Sequence, residues 1–263
     1  MEAFKSWIDQ VAVVIITKNA AVTLKKTLVA LKDFPEVVIY DNGSTDETEV
    51  IAKSFSNVRF FQGAFLGFGP TKNYAVSFAE RDWILSLDAD EAPTPSLIEE
   101  LAAFRPFSPL QVGRLTRENF FFGKKLSRGG WGDDHLVRLF NRTKHAFSDS
   151  QVHESIVTHP DTLMVYLKSA IWHNAVYDLS QILQKIDRYS DLHAKSSTKT
   201  YPVLIIVLKA IFAFLQSYIF KLGFLEGWRG LLVAVSNSNS VFFKYFKTWV
   251  RKNVSVDADR EAL

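Results

Sequence analysis

Two aspartates, Asp88 and Asp90, end an apolar run in the stretch WILSLDADEAP, residues 83 to 93. In an extended chain, residues i and i+2 point to the same side, so both carboxylates can face one point. Two anions this close repel each other unless a cation lies between them. A hard divalent ion, Mg²⁺ or Mn²⁺, is the simplest such cation, and it usually completes its shell with water and substrate phosphates. The pair therefore predicts a site for a metal ion and a diphosphate.

The same D-x-D pattern also occurs in a solvated turn after a strand, so the neighbouring elements must decide. Short apolar runs rich in β-branched residues predict four strands, at 11–16, 36–41, 58–61 and 83–88. Helical patterns lie between them at 21–31, after NGSTD, where Ser44 and Glu47 have capping-box spacing, and at 71–80. This alternation predicts an α/β fold, a mostly parallel sheet flanked by helices.

Ligands of such sheets bind beyond the carboxyl ends of the strands, where polar residues collect in this sequence. They are Thr17, Lys18 and Asn19 after the first strand, Asp41 after the second, and Asp88, Ala89 and Asp90 after the fourth. These residues are expected to converge on one crevice and bind the ligand.

Three of the polar residues near the strand ends also have a simpler interpretation. Asp41 can accept hydrogen bonds from a base or ribose, or it can only shape the turn with Ser44. Lys18 can contact the ligand or lie in solvent. Lys72, at a predicted helix start, can face a ligand phosphate or only pack there.

Several motifs together resemble a known family. VVIITKN, IYDNGSTDET and ILSLDADE, in this order, are similar to the nucleotide-sugar-binding half of family 2 glycosyltransferases with the GT-A fold. GFGPTKNYAV, GGWGDDHLVRLFNR, VHES and the tail after FLQSYIF resemble more narrowly the bacterial lipopolysaccharide core glycosyltransferases. The resemblance covers nearly the whole chain.

The resemblance implies a metal-dependent, inverting transfer of a hexose, with glucose as the first candidate, from a UDP-sugar to a lipid-linked glycan. Asp41 would contact uracil or ribose, and Thr17 and Lys18 the nucleotide. Asp90, with Asp88, would hold the metal on the diphosphate. Inner-core heptose is the acceptor that the subfamily suggests, while a capsule, an exopolysaccharide or a protein acceptor would give a similar sequence.

Inverting transfer by single displacement needs a base beside the acceptor hydroxyl. Asp134 in GWGDDHLVRLF is the first candidate, although Asp133 occupies a position where the subfamily often has Pro. Glu154 in VHES is the rival base. His153 could bind metal or diphosphate, and His173 is a further candidate ligand. The basic residues Arg114, Arg117, Arg128 and Arg138 would bind acceptor phosphates or form a solvated face.

Residues 203–220 approach transmembrane length, but Lys209 and Gln216 lie seven apart and share one helix face. A spanning helix with a lysine near its middle is costly. We therefore expect this helix to lie in the membrane interface or to pack on the catalytic domain.

The stretch SVFFKYFKTWVRK has a basic face opposite an aromatic one. Its basic residues are Lys244, Lys247 and Arg251, and its aromatic residues are Phe242, Phe246 and Trp249. This pattern is typical of a helix on an anionic lipid surface, and it also fits an amphipathic helix packed on a protein core.

These patterns predict a catalytic domain at 1–175, with nucleotide-sugar binding at 1–92 and the acceptor side at 93–175, and a helical membrane-interface region at 176–263. The absence of Cys excludes disulfides and thiolate metal sites. A net charge of +3 is too small to suggest nucleic-acid binding. The start, MEAFKSWIDQ, does not resemble a secretory signal, which predicts a cytoplasmic protein at the inner membrane. The oligomeric state cannot be read from these patterns.

Two other functions fit parts of the sequence. Phosphatases with an aspartate nucleophile also use D-x-D at a strand end, but they expect Thr or Val where this chain has Ala92. A non-catalytic module that binds nucleotide-sugar or lipid would explain Asp41 and the D-x-D pair without needing Asp134.

Overall fold

The computed structural model describes residues 6–132, 134–150, 154–197 and 199–254. The chain forms two compact units. The first comprises Met1–Glu118 and Asp134–Asn174, and the second comprises Asn119–Asp133 and Ala175–Leu263. Segment 119–133, which the sequence analysis assigned to the acceptor side, thus belongs to the second unit.

The predicted βα series begins the first unit. Its strands are β1 (Val11–Thr17), β2 (Glu36–Asp41), β3 (Val58–Gln62) and β4 (Trp83–Asp88), and its helices are α1 (Ala21–Ala30), α2 (Thr48–Lys53) and α3 (Phe68–Ser77). The four strands are parallel in the order β3-β2-β1-β4, which confirms the prediction. The predicted capping box is wrong, because α2 begins at Thr48 and its N-cap, Glu47, makes no side-chain cap bond.

The rest of the sheet includes antiparallel pairs. The remaining elements of this part of the chain are β5 (Glu91–Pro93), α4 (Pro95–Ala103), β6 (Gln111–Phe121), β7 (Lys124–Lys125), β8 (Asp134–Asn141) and β9 (Leu163–Val176). The strand order is β3-β2-β1-β4-β8-β6-β9-β5, and β7 pairs with β6. Strand β8 runs antiparallel to β4, and β5 runs antiparallel to β9. The fold is therefore α/β with a mixed sheet.

Strand β1 is apolar on both faces because both are covered. Val13 and Ile15 pack in one core cluster with residues of α1 and α4, such as Leu24 and Leu97. Val14 packs in a second cluster with residues of α3. Helices thus flank the sheet, and the polar residues at the strand ends project from a rigid support.

Apart from β7 and the ends of β6 and β9, the second unit is helical. Its elements are α5 (Leu179–Ser196), α6 (Val203–Leu215), a π-helical turn (Gln216–Phe220), a 3-10 helix (Gly223–Glu226) and α7 (Trp228–Asn253). Its core includes Phe121, Leu126, Ile182, Ile186 and Val233. The predicted C-terminal helical region is confirmed.

One segment of the second unit, Val203–Phe220, has the length and composition of a membrane span. Its mean hydropathy is 2.2, and only 17% of it is buried in the protein. A core helix of a soluble protein passes the same test of length and composition, but it would be mostly buried. Most of this segment faces outward instead.

Candidate functional site

The loops after β1 and β2 are tied together by Asn19. Its backbone has a φ of 53°, its N–H donates to Ser44 Oγ at 2.7 Å, and its side-chain oxygen accepts from Thr45 N–H at 2.8 Å. Asn19 therefore positions the two loops, and a contact with nucleotide stays a prediction. Lys18 beside it is exposed.

Thr17 ends β1 with its hydroxyl buried, and Oγ1 has no hydrogen-bond partner within the described part of the chain. A buried hydroxyl normally has such a partner. The side chain lies next to β2, where Thr17 pairs in register with Asp41. This unused group is a feature expected of a ligand-binding position.

Asp41 is fully buried, and its own turn uses both carboxylate oxygens. Oδ1 accepts from the N–H groups of Gly43 and Ser44 at 3.0 and 2.8 Å, and Oδ2 accepts from the Ser44 hydroxyl. Asp41 therefore shapes this turn, which is one of the two roles left open by the sequence. Its contact with uracil or ribose stays a prediction.

The cations beside Asp88 are side chains of the protein. Lys72 Nζ lies 2.9 Å from Oδ1, and the Arg138 guanidinium lies 2.9 Å from Oδ2. Burial alone would raise the pKa of Asp88, but the charges and hydrogen bonds of Lys72 and Arg138 outweigh it and hold the pKa well below its usual range. Asp88 is therefore ionised and paired.

Glu91 organises this network, and sequence reasoning assigned it no role. Its carboxylate is completely buried. Oε1 lies 2.6 Å from the Arg138 guanidinium and 3.0 Å from that of Arg117, while Oε2 accepts from the Asp88 N–H at 3.0 Å. Burial would lower the pKa of Arg138, but the negative charges of Glu91 and Asp88 raise it. Both arginines thus face acids of the protein, whereas the sequence analysis predicted acceptor phosphates or solvent.

Asp134, the predicted base, forms a two-pronged ion pair with Arg117. Nε donates to Oδ1 at 3.0 Å and NH2 donates to Oδ2 at 2.7 Å. Burial opposes the charge of Arg117, but its bonds to Asp134 and the charge of Glu91 raise its pKa. The rival base, Glu154, pairs with Lys72 at 2.7 Å. Of the two candidate bases, Asp134 is the more accessible, with 42% of its side chain exposed against 16% for Glu154.

Asp90 lies apart from this network, beside His173. Its Oδ2 is 3.5 Å from His173 Nε2. The pairing of β5 with β9 brings the two together, since Glu91 pairs in register with His173 and Asn174 N–H donates to the Asp90 carbonyl at 3.0 Å. Ala89, between the two aspartates, accepts a hydrogen bond from Thr27 through its carbonyl.

The donor set at Asp90 suits a divalent ion whose remaining ligands come from substrate. One carboxylate completed by a diphosphate and water is typical of Mg²⁺ or Mn²⁺, and the His173 imidazole would add a nitrogen ligand. No group of three or more His, Cys, Asp or Glu side chains that could hold a metal occurs among the residues described. The predicted ligand His153 and the neighbour Asp133 lie outside them.

Charge is nearly balanced at these strand ends. The acids Asp88, Glu91, Asp134 and Glu154 face the bases Lys72, Arg117 and Arg138. Protein cations therefore provide most of the neutralisation around Asp88, and the convergence of Thr17, Asp41 and Asp90 on one ligand stays a prediction. The long-range pairing of β8 with β4 and β6 positions Asp134 and Arg138, and no local sequence signal shows this pairing.

The chain matches a known protein family. The sequence model of the family described as glycosyl transferase family 2 matches residues 12–173, which is more than half of the chain. This range contains all of the strand-end residues described above.

Similar proteins bear related names. An uncharacterised glycosyltransferase of Rickettsia typhi is 25% identical over 252 residues, with 90% of this chain and 86% of that protein covered. The lipopolysaccharide core biosynthesis glycosyltransferase LpsC of Rhizobium meliloti is 28% identical over 192 residues, covering 71% of each chain. A crystal structure of S. aureus TarS 1–349 in complex with UDP-GlcNAc has a TM-score of 0.45 at 13% identity, covering 92% of this chain and 91% of that one.

Proposed function

Since the chain belongs to glycosyl transferase family 2 and is a glycosyltransferase, we propose that it transfers a hexose, with glucose first, from a UDP-sugar to a lipopolysaccharide core glycan. The reaction would be an inverting single displacement. The observation that carries this proposal is the Asp90–His173 pair beside the buried network around Asp88, at the carboxyl end of β4. The name of the relative LpsC supports the choice of acceptor.

The nucleotide would bind across the ends of β1 and β2. Thr17 supplies a buried hydroxyl without a partner in the described residues, Lys18 is exposed beside it, and Asn19 holds the loop. Asp41 would accept hydrogen bonds from the ribose or base in addition to those of its turn. A nucleotide in this position would meet the strand-end crevice common to α/β folds.

The diphosphate would lie at Asp90 and His173, which would hold Mg²⁺ or Mn²⁺. When bound, the ion would stabilise the charge that develops on the departing diphosphate. The sequence predicted that both aspartates bind the ion. In this proposal only Asp90 does so, because both carboxylate oxygens of Asp88 are paired with Lys72 and Arg138. Asp88 would instead hold those two cations near the phosphates.

Asp134 would be the base that takes the proton from the acceptor hydroxyl. To do so it must give up part of its pairing with Arg117. An arriving diphosphate offers Arg117 another bidentate partner, so donor binding would free the carboxylate. Glu154 is less suited because it is less exposed and is held by the buried Lys72.

The acceptor would be lipid-linked, and the enzyme would lie on the cytoplasmic face of the inner membrane. The outward-facing apolar segment Val203–Phe220 supports a membrane surface as a partner. A capsule, exopolysaccharide or protein acceptor would require the same chemistry at Asp90 and Asp134.

A donor panel tests the proposal. The protein is incubated with UDP-, GDP- and dTDP-sugars and Mn²⁺ or Mg²⁺, and free nucleotide is measured with and without lipid A core. We expect UDP release from a UDP-hexose that increases when the core acceptor is added. If no UDP-sugar releases UDP, the proposed donor is wrong. If the core acceptor does not change UDP release but another glycan does, the proposed acceptor is wrong.

A further inference from the structure

The exposed apolar side chains of the described residues are unevenly distributed. Nearly half of the large ones fall between Val203 and Val235. On α6 and the π-helical turn they recur at helical spacing and form one face, which we name the α6 outer face: Leu204, Leu208, Ile211, Phe212, Leu215 and Ile219. An apolar surface of this extent marks a binding surface.

The charge within α6 lies at the edge of this face, beside Leu208 and Phe212, where its side chain contacts two tyrosine rings. Lys209 Nζ lies 4.7 Å from the ring centre of Tyr201 and 5.4 Å from that of Tyr245 on α7. Cation–π contacts of this kind stabilise the ammonium group away from bulk water. Inserting the outer face into lipid therefore does not require burying the Lys209 ammonium group in hydrocarbon, which was the cost inferred from the sequence.

The inner side of α6 packs on a polar stretch of α7. Ser238 Oγ donates to the Ala210 carbonyl at 2.8 Å, and Asn237 Nδ2 donates to Ser217 Oγ at 3.0 Å. Asn237 and Ser238 belong to the run SNSNS, 236–240. If α6 crossed a bilayer in this packing, the polar run would have to enter hydrocarbon at a large cost. The geometry is that of a helix lying on a membrane, with one side in lipid.

The basic face predicted for α7 is less available than the outer face of α6. Lys247 Nζ lies 2.7 Å from Asp187 Oδ1 and 2.6 Å from Asp191 Oδ1, both on α5. Phe242 and Phe246 are only partly exposed and stack on each other with ring centres 5.0 Å apart. Much of this helix surface thus serves contacts within the second unit.

We propose that the α6 outer face inserts into one leaflet of a lipid bilayer, and that insertion is driven by apolar burial instead of attraction to anionic lipid. A protein partner would be expected to require more hydrogen-bonding groups, whereas Gln216 and Lys221 are the exposed polar side chains between Val203 and Leu222. This inference deepens the membrane association contained in the proposed function by naming the surface and the force.

Vesicle flotation tests the proposal. Wild-type protein is mixed with vesicles of phosphatidylcholine alone and with vesicles containing phosphatidylglycerol. The double variant L208Q/F212Q removes two large apolar groups from the outer face, and we expect it to float about tenfold less on either vesicle. Its matched control, V22Q/V50Q, changes two exposed apolar residues of the first unit and should float like wild type.

A second variant separates the two forces. K244Q/R251Q removes two charges of the predicted basic face and should change flotation less than twofold even on vesicles containing phosphatidylglycerol, where attraction to anionic lipid would act. The inference is overturned if K244Q/R251Q no longer floats while L208Q/F212Q floats normally. It is also overturned if wild type does not bind neutral vesicles, or if gel filtration without lipid shows a dimer held together by the outer face. Protein that resists alkaline extraction from vesicles would contradict the one-leaflet geometry.

Donor hydrolysis in lipid-free buffer is measured for every variant in parallel. It distinguishes failure of this inference from failure of the proposed function. We expect L208Q/F212Q to retain hydrolysis within about twofold, because the substitutions lie on an exposed face of α6. Full flotation of a protein that hydrolyses no sugar nucleotide would refute the proposed function alone.

Discussion

The strand-end site and the α6 outer face differ in how the protein compensates for residues that are energetically costly in their positions. At the strand ends, acids such as Asp88 and Glu91 are costly to bury, and the protein itself supplies Lys72, Arg117 and Arg138 to pair with them. On α6, apolar side chains are costly to expose, and the described residues do not cover them. The first region is preorganised before any ligand arrives, while we propose that the second is covered by lipid.

The first test of this comparison concerns Asp90, an acid that lies outside the network of Lys72, Arg117 and Arg138. Asp90→Asn should lower transfer by on the order of 10³- to 10⁴-fold, because the metal would lose its carboxylate. Initial rates with saturating donor and metal measure this. The matched control is Asp82→Asn, an exposed aspartate paired with Arg142 at 3.4 Å, which should retain activity. Transfer within tenfold of wild type would contradict the assignment.

A second test concerns the two candidate bases. Asp134→Asn should reduce the turnover number by on the order of 10²-fold or more, as for loss of a general base. Donor affinity should not fall, because Arg117 no longer has to leave the Asp134 carboxylate to bind the diphosphate. Glu154→Gln serves as the comparison and should lose less activity. A larger loss in Glu154→Gln than in Asp134→Asn would transfer the role of base to Glu154.

The internal pairing of the site predicts a stability effect. Arg138→Met should lower the free energy of unfolding by about 3 kcal/mol, because it removes a buried partner of Asp88 and Glu91. Arg114→Met is the control, since that guanidinium is partly exposed and lies over the Tyr166 ring. Urea unfolding measures both. Equal effects would mean that the buried network contributes no special stability.

The smallest expected effect is the pH dependence of Asp88. Its folded-state pKa is depressed, so its contribution to stability is present above the unfolded value of about 4 and is lost as pH falls through the folded pKa. Wild type should be more stable than Asp88→Asn by on the order of 1 kcal/mol, a value kept small because water screens a side chain that is 35% exposed.

Unfolding at pH 7, 5 and 3 checks this prediction. The difference between wild type and Asp88→Asn should be the same at pH 7 and pH 5 and should shrink below about pH 4. A difference already lost between pH 7 and pH 5 would contradict the depressed pKa.

Local sequence was sufficient for the parallel half of the sheet but not for the site network. The runs ending at Asp41 and Asp88 predicted their strands correctly because burial on both faces leaves a continuous apolar pattern. The partners of Asp88 and Asp90 depend on pairings between distant strands: β8 carries Arg138 and β9 carries His173. No periodicity in either segment states which strand lies next to it.

The C-terminal helices show the same limit. The period of α7 correctly indicated an amphipathic helix, but it could not show that Asp187 and Asp191 of α5 would pair with Lys247. Likewise the position of Lys209 suggested that α6 had a polar face, whereas the rings of Tyr201 and Tyr245 lie against that charge. Which face of a helix is covered is decided by tertiary contacts.

Calorimetry of UDP-glucose binding tests the central claim most directly, namely that a divalent cation at Asp90 bridges the protein to the donor diphosphate. With Mn²⁺ present, wild type should bind the donor at least about tenfold more tightly than with chelator, whereas Asp90→Asn should bind equally weakly in both conditions. Wild-type binding that chelator leaves unchanged, together with full turnover by Asp90→Asn, would contradict it.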